Sequence, residues 1–136
     1  MKRVTGIGGV FFKAKDDEAL KKWYHDHLGI ELKQGCGVFQ GRELDQPGKI
    51  TNTIWSPFPH DTTYFEPSRA PFMINYRVEN LEAVLAALRA EGVAVEDKVE
   101  ASDFGRFGWL LDPEGNRIEL WEPPAQNGGG GKDSAT

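Results

Sequence analysis

Two stretches of the chain, 64 residues apart, carry the same succession of signals. At that spacing Asp16, Glu18 and Ala19 fall on Asn80, Glu82 and Ala83, and Gly9-Val10-Phe11-Phe12-Lys13 falls on Met73-Ile74-Asn75-Tyr76-Arg77. Toward the far ends the spacing grows to 66, pairing Thr53-Ile54-Trp55-Ser56-Pro57 with Glu119-Leu120-Trp121-Glu122-Pro123. A short insertion accounts for the drift. Such a repeat restricts the fold to architectures built from one supersecondary unit used twice. In the first copy, Val4 to Ala14 reads as a strand, and Lys15-Asp16-Asp17-Glu18 caps a helix striped by Leu20, Trp23, Tyr24 and Leu28, with Gly29 as a left-handed C-cap. Strands are then expected at Ile30 to Lys33, Gly37 to Gln40 and Ile50 to Trp55. The second copy reads as a strand at Phe72 to Val78, a helix capped by Asn80, striped by Leu81, Val84, Leu85 and Leu88 and closed by Gly92, then strands at Val93 to Val99, Phe104 to Leu111 and Arg117 to Trp121. Asp112-Pro113-Glu114-Gly115-Asn116 joins the last two as a hairpin, since Pro presets φ and Gly accepts φ > 0.

At 136 residues the chain has room for one compact domain and little more. Its 16 basic against 21 acidic residues give a formal charge of −5, which repels a polyphosphate backbone, so nucleic acid is excluded as an expected partner. The single cysteine, Cys36, rules out an internal disulfide framework and a thiolate cluster. Met1-Lys2-Arg3 runs directly into a strand rather than an apolar signal core, and no apolar run approaches the roughly 18 residues of a membrane helix. A cytoplasmic protein without membrane contact is the expectation. The segment 125–136, with four consecutive glycines, lacks the apolar content to fold and is expected to be a flexible tail.

The stretch Gly105-Arg106-Phe107-Gly108-Trp109-Leu110-Leu111-Asp112-Pro113-Glu114-Gly115-Asn116-Arg117-Ile118-Glu119-Leu120-Trp121-Glu122 closely resembles the C-terminal signature of the vicinal oxygen chelate superfamily. Glyoxalase I, extradiol dioxygenases, fosfomycin-resistance proteins and bleomycin-binding proteins belong to it. Ala19-Leu20, Trp23-Tyr24 and Leu28-Gly29 are similar to the helix and turn of its first module. The resemblance implies an α+β fold over residues 1–124, with βαβββ modules at 4–58 and 71–124 whose curved sheets form a cup around a small ligand. It further implies one metal ligand on the first and last strand of each module, positions that fall here on Gly9, Thr53, Met73 and Glu119. Only Glu119 among these is a strong ligand for a hard divalent cation, so neither a metal nor another cofactor is expected.

Alternation along a strand places Phe11 and Lys13 with Gly9, and Asn75 and Arg77 with Met73. Lys13 and Arg77 at a cup mouth would read an anion, with Asn75 supplying an oriented amide; as strand-end residues they would equally suit solvent or an ion pair. Glu119, in an otherwise apolar strand, suits a general base of raised pKa, or a carboxylate left from a lost metal site and paired with Arg77 or Arg117. Thr53, Trp55, Met73 and Trp121 complete the expected substrate-binding set. Ser56 to Phe65 is too apolar for an ordinary solvated loop and is expected to form a lid or subunit interface, with His60 available for proton transfer or an unusual metal site. His25 and His27, two apart on a helix, point to different faces. Cys36 has no neighbouring His or basic run to activate it. The glycines Gly6, Gly8 and Gly9 lack the helix start of a dinucleotide fingerprint and are expected to open space in the cup.

Two functions follow. The first is a metal-free binding protein for a small anionic or aromatic molecule, assembled as a homodimer. The second is a lyase, isomerase or dioxygenase-type enzyme acting on a small carbonyl or oxygenated substrate, with Glu119 as base.

Overall fold

The computed structural model describes residues 2–125. The first half folds as β1 (Val4–Ala14), α1 (Asp17–Leu28), β2 (Leu32–Lys33), β3 (Cys36–Arg42) and β4 (Ile50–Pro59). The second half repeats the order as β5 (Phe72–Val78), α2 (Leu81–Ala90), β6 (Val95–Ser102), β7 (Gly105–Leu111) and β8 (Arg117–Glu122). The expected tail at 125–136 lies, beyond its first residue, outside the described residues.

Both helices start by the same device. The Asp16 side chain accepts a hydrogen bond from the Ala19 amide at 3.0 Å, and Asn80 accepts one from the Ala83 amide at 3.0 Å, with nearly identical extended backbone at the two caps. Gly29 closes α1 at φ 73°, as a left-handed cap should.

The eight strands form one sheet in the order β2-β3-β4-β1-β5-β8-β7-β6. Within each half the first and last strands run parallel, and β1 pairs antiparallel with β5. The two halves are therefore joined at their first strands within a single chain. Side-chain alternation then sorts the sheet into two faces. On the helix face, Leu81, Val84 and Leu85 of α2 pack with Val78, Leu110 and Leu120, burying an apolar core worth roughly 1.5–3 kcal/mol per large side chain. Gly108 sits under Leu85, where a Cβ would come within 3.0 Å of Cδ1. On the same face Trp55 packs between Phe12 and Tyr24 of α1, with ring centroids 5.7 and 4.7 Å away. The stripe on α1 is only half used, because Trp23 and Leu28 stay 50% and 61% exposed.

The opposite face is built from Gly9, Phe11 and Lys13 of β1, Met73, Asn75 and Arg77 of β5, Phe107 and Trp109 of β7, and Glu119 and Trp121 of β8. Phe11, Phe65, Met73 and Trp109 form a second buried cluster there. Phe65 comes from the connection between the halves and is fully buried, so that segment is not simply a lid: Ser56 to Pro59 extends β4, and Phe65 is core. Among the described residues no helix is long and apolar enough to cross a membrane.

Candidate functional site

A cavity of about 300 Å³ opens on the face away from the helices. Six aromatic side chains line it: Phe11, Phe58, Tyr64, Phe104, Phe107 and Trp121. Phe107 and Trp121 lie parallel with centroids 6.1 Å apart, and Phe58 and Tyr64 lie parallel at 5.7 Å, so two stacked pairs contribute walls. Gly8 gives the cavity part of its room. It is the extra residue of a bulge between Ile7↔Tyr76 and Gly9↔Asn75, and a Cβ there would stand 2.3 Å from Asn75 Oδ1 and 2.8 Å from the Trp121 ring.

One carboxylate meets this space. Glu119 lines the cavity yet is only 2% exposed, and its partners are all neutral. Asn75 Nδ2 donates to Oε1 at 2.6 Å, Trp109 Nε1 donates to Oε2 at 3.0 Å, and the Tyr64 hydroxyl also donates to Oε2. Strand register explains two of the three: Asn75 and Trp109 are the direct neighbours of Glu119 on β5 and β8's other partner, β7. Tyr64 is delivered from the connecting segment, which Arg117 holds down by donating to the Tyr64 carbonyl at 2.6 Å. Arg117 is itself fixed by a two-pronged ion pair with Glu96, at 2.8 and 2.7 Å, and its guanidinium lies 4.9 Å from the Trp109 ring centre. Burial pushes the Glu119 carboxyl above the usual carboxylate range, against the pull of these three donors. Burial and the neighbouring carboxylate raise the Tyr64 phenol, keeping it a donor. Neither Arg77 nor Arg117 pairs with Glu119, so the expected alternative of a salt-bridged carboxylate is corrected to one held by dipoles.

The remaining expected residues divide sharply. Phe11, Asn75, Trp121 and Glu119 all line the cavity. Met73 shares their face but is packed beneath it against the Phe11, Phe65 and Trp109 cluster. Trp55 lies on the helix face, and the Thr53 hydroxyl donates to the Ile7 carbonyl at 2.8 Å, away from the cavity lining. The cause is register: Phe11 pairs with Ser56 as Asn75 pairs with Glu119, so the counterpart of Glu119 on β4 is Ser56 rather than Thr53. Lys13 and Arg77 do not converge. An antiparallel pair related by a two-fold sends equivalent residues to opposite ends, and here Lys13 stands 6.0 Å from the Phe65 ring centre while Arg77 sits beside Gly6. Seven residues of β1, roughly 23 Å, separate those ends. Arg77 fills the gap where the β1–β4 ladder stops, donating from Nη1 to the carbonyls of Ile7 at 2.6 Å and Asn52 at 2.8 Å. His60 is exposed and outside the cavity lining. Tyr64, Trp109, Phe58, Phe104 and Phe107 are aromatic site residues outside the set expected from sequence. Only the unusual apolarity of the 56–65 segment pointed toward Tyr64 and Phe58.

A family model for the Glyoxalase/Bleomycin resistance protein/Dioxygenase superfamily matches residues 6–120. The chain belongs to that superfamily. Among curated proteins no relative matches. Among solved structures, methylmalonyl-CoA epimerase from Mycobacterium tuberculosis is 22% identical with a TM-score of 0.57, over 92% of each chain. A Streptomyces coelicolor methylmalonyl-CoA epimerase in complex with 2-nitronate-propionyl-CoA is 20% identical with a TM-score of 0.56, over 86% of this chain and 96% of the other. A structure described as the NAD-dependent benzaldehyde dehydrogenase from Legionella pneumophila is 14% identical with a TM-score of 0.54, over 83% of this chain and 96% of the other. At such identities the likeness establishes the superfamily's fold and nothing finer. The divalent cation that the superfamily's chelate implies does not fit the residues here. The in-register quartet Phe11, Ser56, Asn75 and Glu119 holds a single carboxylate, as does the quartet expected from sequence, and among the described residues no three His, Cys, Asp or Glu side chains converge.

Proposed function

We propose that the protein is a metal-independent binding protein for a small aromatic molecule, which enters the cavity beside Glu119. The observation that carries this reading is the carboxylate held by Asn75, Tyr64 and Trp109 in a cavity whose walls are otherwise largely aromatic. Aromatic walls supply affinity through buried area, and the few fixed polar groups supply orientation. A volume of about 300 Å³ sits at the small end of ligand sites and suits a single ring with a short substituent. Lys33 is the one cation among the lining residues and it is exposed, which argues for the aromatic half of the expected ligand class over the anionic half. It also speaks against a ligand rich in phosphates.

A second reading is favoured by the same carboxylate. A buried carboxyl of raised pKa at a cavity wall is suited to taking a proton from carbon, the kind of step an epimerase or other isomerase performs. Solvent deuterium appearing in a bound carbonyl compound would support that reading over binding alone. The binding site itself is tested by heteronuclear NMR with benzyl alcohol as probe. Saturable shifts centred on the indole N–H groups of Trp109 and Trp121, unchanged by a chelator, are expected; shifts confined to exposed surface, or dependent on added metal, would overturn the proposal.

A further inference from the structure

We infer that the ligand of this cavity is an organic cation, an aromatic or apolar molecule bearing a protonated amine whose N–H donates to Glu119 Oε1. The inference rests on the binding reading above and deepens it. A carboxylate offers about four lone-pair sites. Tyr64 and Trp109 take both sites on Oε2, whereas Asn75 alone occupies Oε1, so one acceptor site is left on a buried anion. The neutral donors orient the charge without cancelling it. Arg117, the nearest cation in sequence on the same strand face, spends its donors on Glu96 at 2.7 Å and on the Tyr64 carbonyl, and reaches Glu119 only through space. Lys33 is exposed, so solvent screens it.

The walls have the complementary property. The faces of Phe58, Tyr64, Phe107 and Trp121 are electron-rich, and stacked pairs of this kind attract a cation that has left water, an effect worth more in a desolvated site than on a surface. An anion in the same place would meet a buried carboxylate and ring faces of the wrong sign. A neutral donor would satisfy Oε1 but leave the negative charge uncompensated.

The experiment is calorimetric titration with three probes of matched size: benzylammonium, benzyl alcohol and benzoate. Benzylammonium is expected to bind about tenfold or more tighter than benzyl alcohol, with benzoate weakest. In Glu119→Gln the ratio between the first two is expected to fall to about threefold or less. Benzyl alcohol or benzoate binding as tightly as benzylammonium overturns the cation inference while leaving the cavity reading intact, and so does an unchanged ratio in the variant. Absence of binding by all three overturns the cavity reading itself. The wild-type series decides the matter even where the variant folds poorly.

Discussion

The Glu119 carboxylate is the residue on which the site turns, and its environment makes two consequences measurable. Tyr64→Phe removes a hydroxyl that donates to a buried oxygen while keeping the ring against Phe58. Oε2 keeps the Trp109 N–H but loses one of its two donors, and losing a hydrogen bond to a buried charged group is expected to destabilise the fold by about 1.5–3 kcal/mol in chemical denaturation. The pH dependence follows from burial. Glu119 has a folded-state pKa above its unfolded value, so its contribution to stability is complete below the ordinary glutamate range and is lost as pH rises through the raised value. Glu119→Gln carries no such charge. The melting temperature of the wild type relative to this variant is therefore expected to fall as pH rises above the ordinary glutamate range, and a difference that stays constant with pH would show that the carboxyl titrates normally. The variant can keep its polar partners, because rotating the Asn75 amide would turn its presently unpaired Oδ1 toward the new amide.

At the scale of elements, the bulge in β1 shapes the cavity. Gly8→Ala is expected to destabilise the protein by about 1–3 kcal/mol, because the added methyl meets Asn75 Oδ1 and the Trp121 ring, both held by packing; an unaltered denaturation midpoint would mean the bulge relaxes at no cost. Helix caps at Asp16 and Asn80, the strand order and the closing hairpin are local signals, written within a few residues, and all stand in the structure as read. Which face Thr53 or Trp55 presents is not local. It depends on the pairing of β4 with β1, where Phe11 meets Ser56, and because side chains alternate, a shift of three residues between the two halves, like any odd shift, exchanges the faces. The identity of Trp55 with Trp121 is misleading in this respect, since the β4 counterpart of Trp121 is Phe58. The approximate two-fold was legible in the same way, but its consequence for Lys13 and Arg77 required knowing that β1 and β5 run antiparallel. Tyr64 reaches Glu119 from 55 residues away in the chain, a separation that no motif encodes.

For the molecule as a whole, the single sheet closes the cavity within one chain, so a second copy is not needed to complete it. We nonetheless propose a homodimer, because α1 leaves Trp23 and Leu28 half or more exposed and contributes no fully buried residue to its own fold. Light scattering at micromolar concentration is expected to give twice the chain mass, and a mass shifted to one chain in Trp23→Ala would place the contact on that helix; a monomeric wild type would refute the dimer. Whatever its assembly state, the protein is proposed to bind a small aromatic molecule beside Glu119 without a metal. The most direct test is calorimetry on chelator-treated protein titrated with benzylammonium, repeated with added Mn, Ni or Zn and with Val38→Trp, which fills the cavity from its β3 wall. Saturable one-to-one binding, indifferent to metal and abolished by Val38→Trp at unchanged fold, is expected; binding that appears only with metal, or that survives the filled cavity, would refute metal-independent binding at this site.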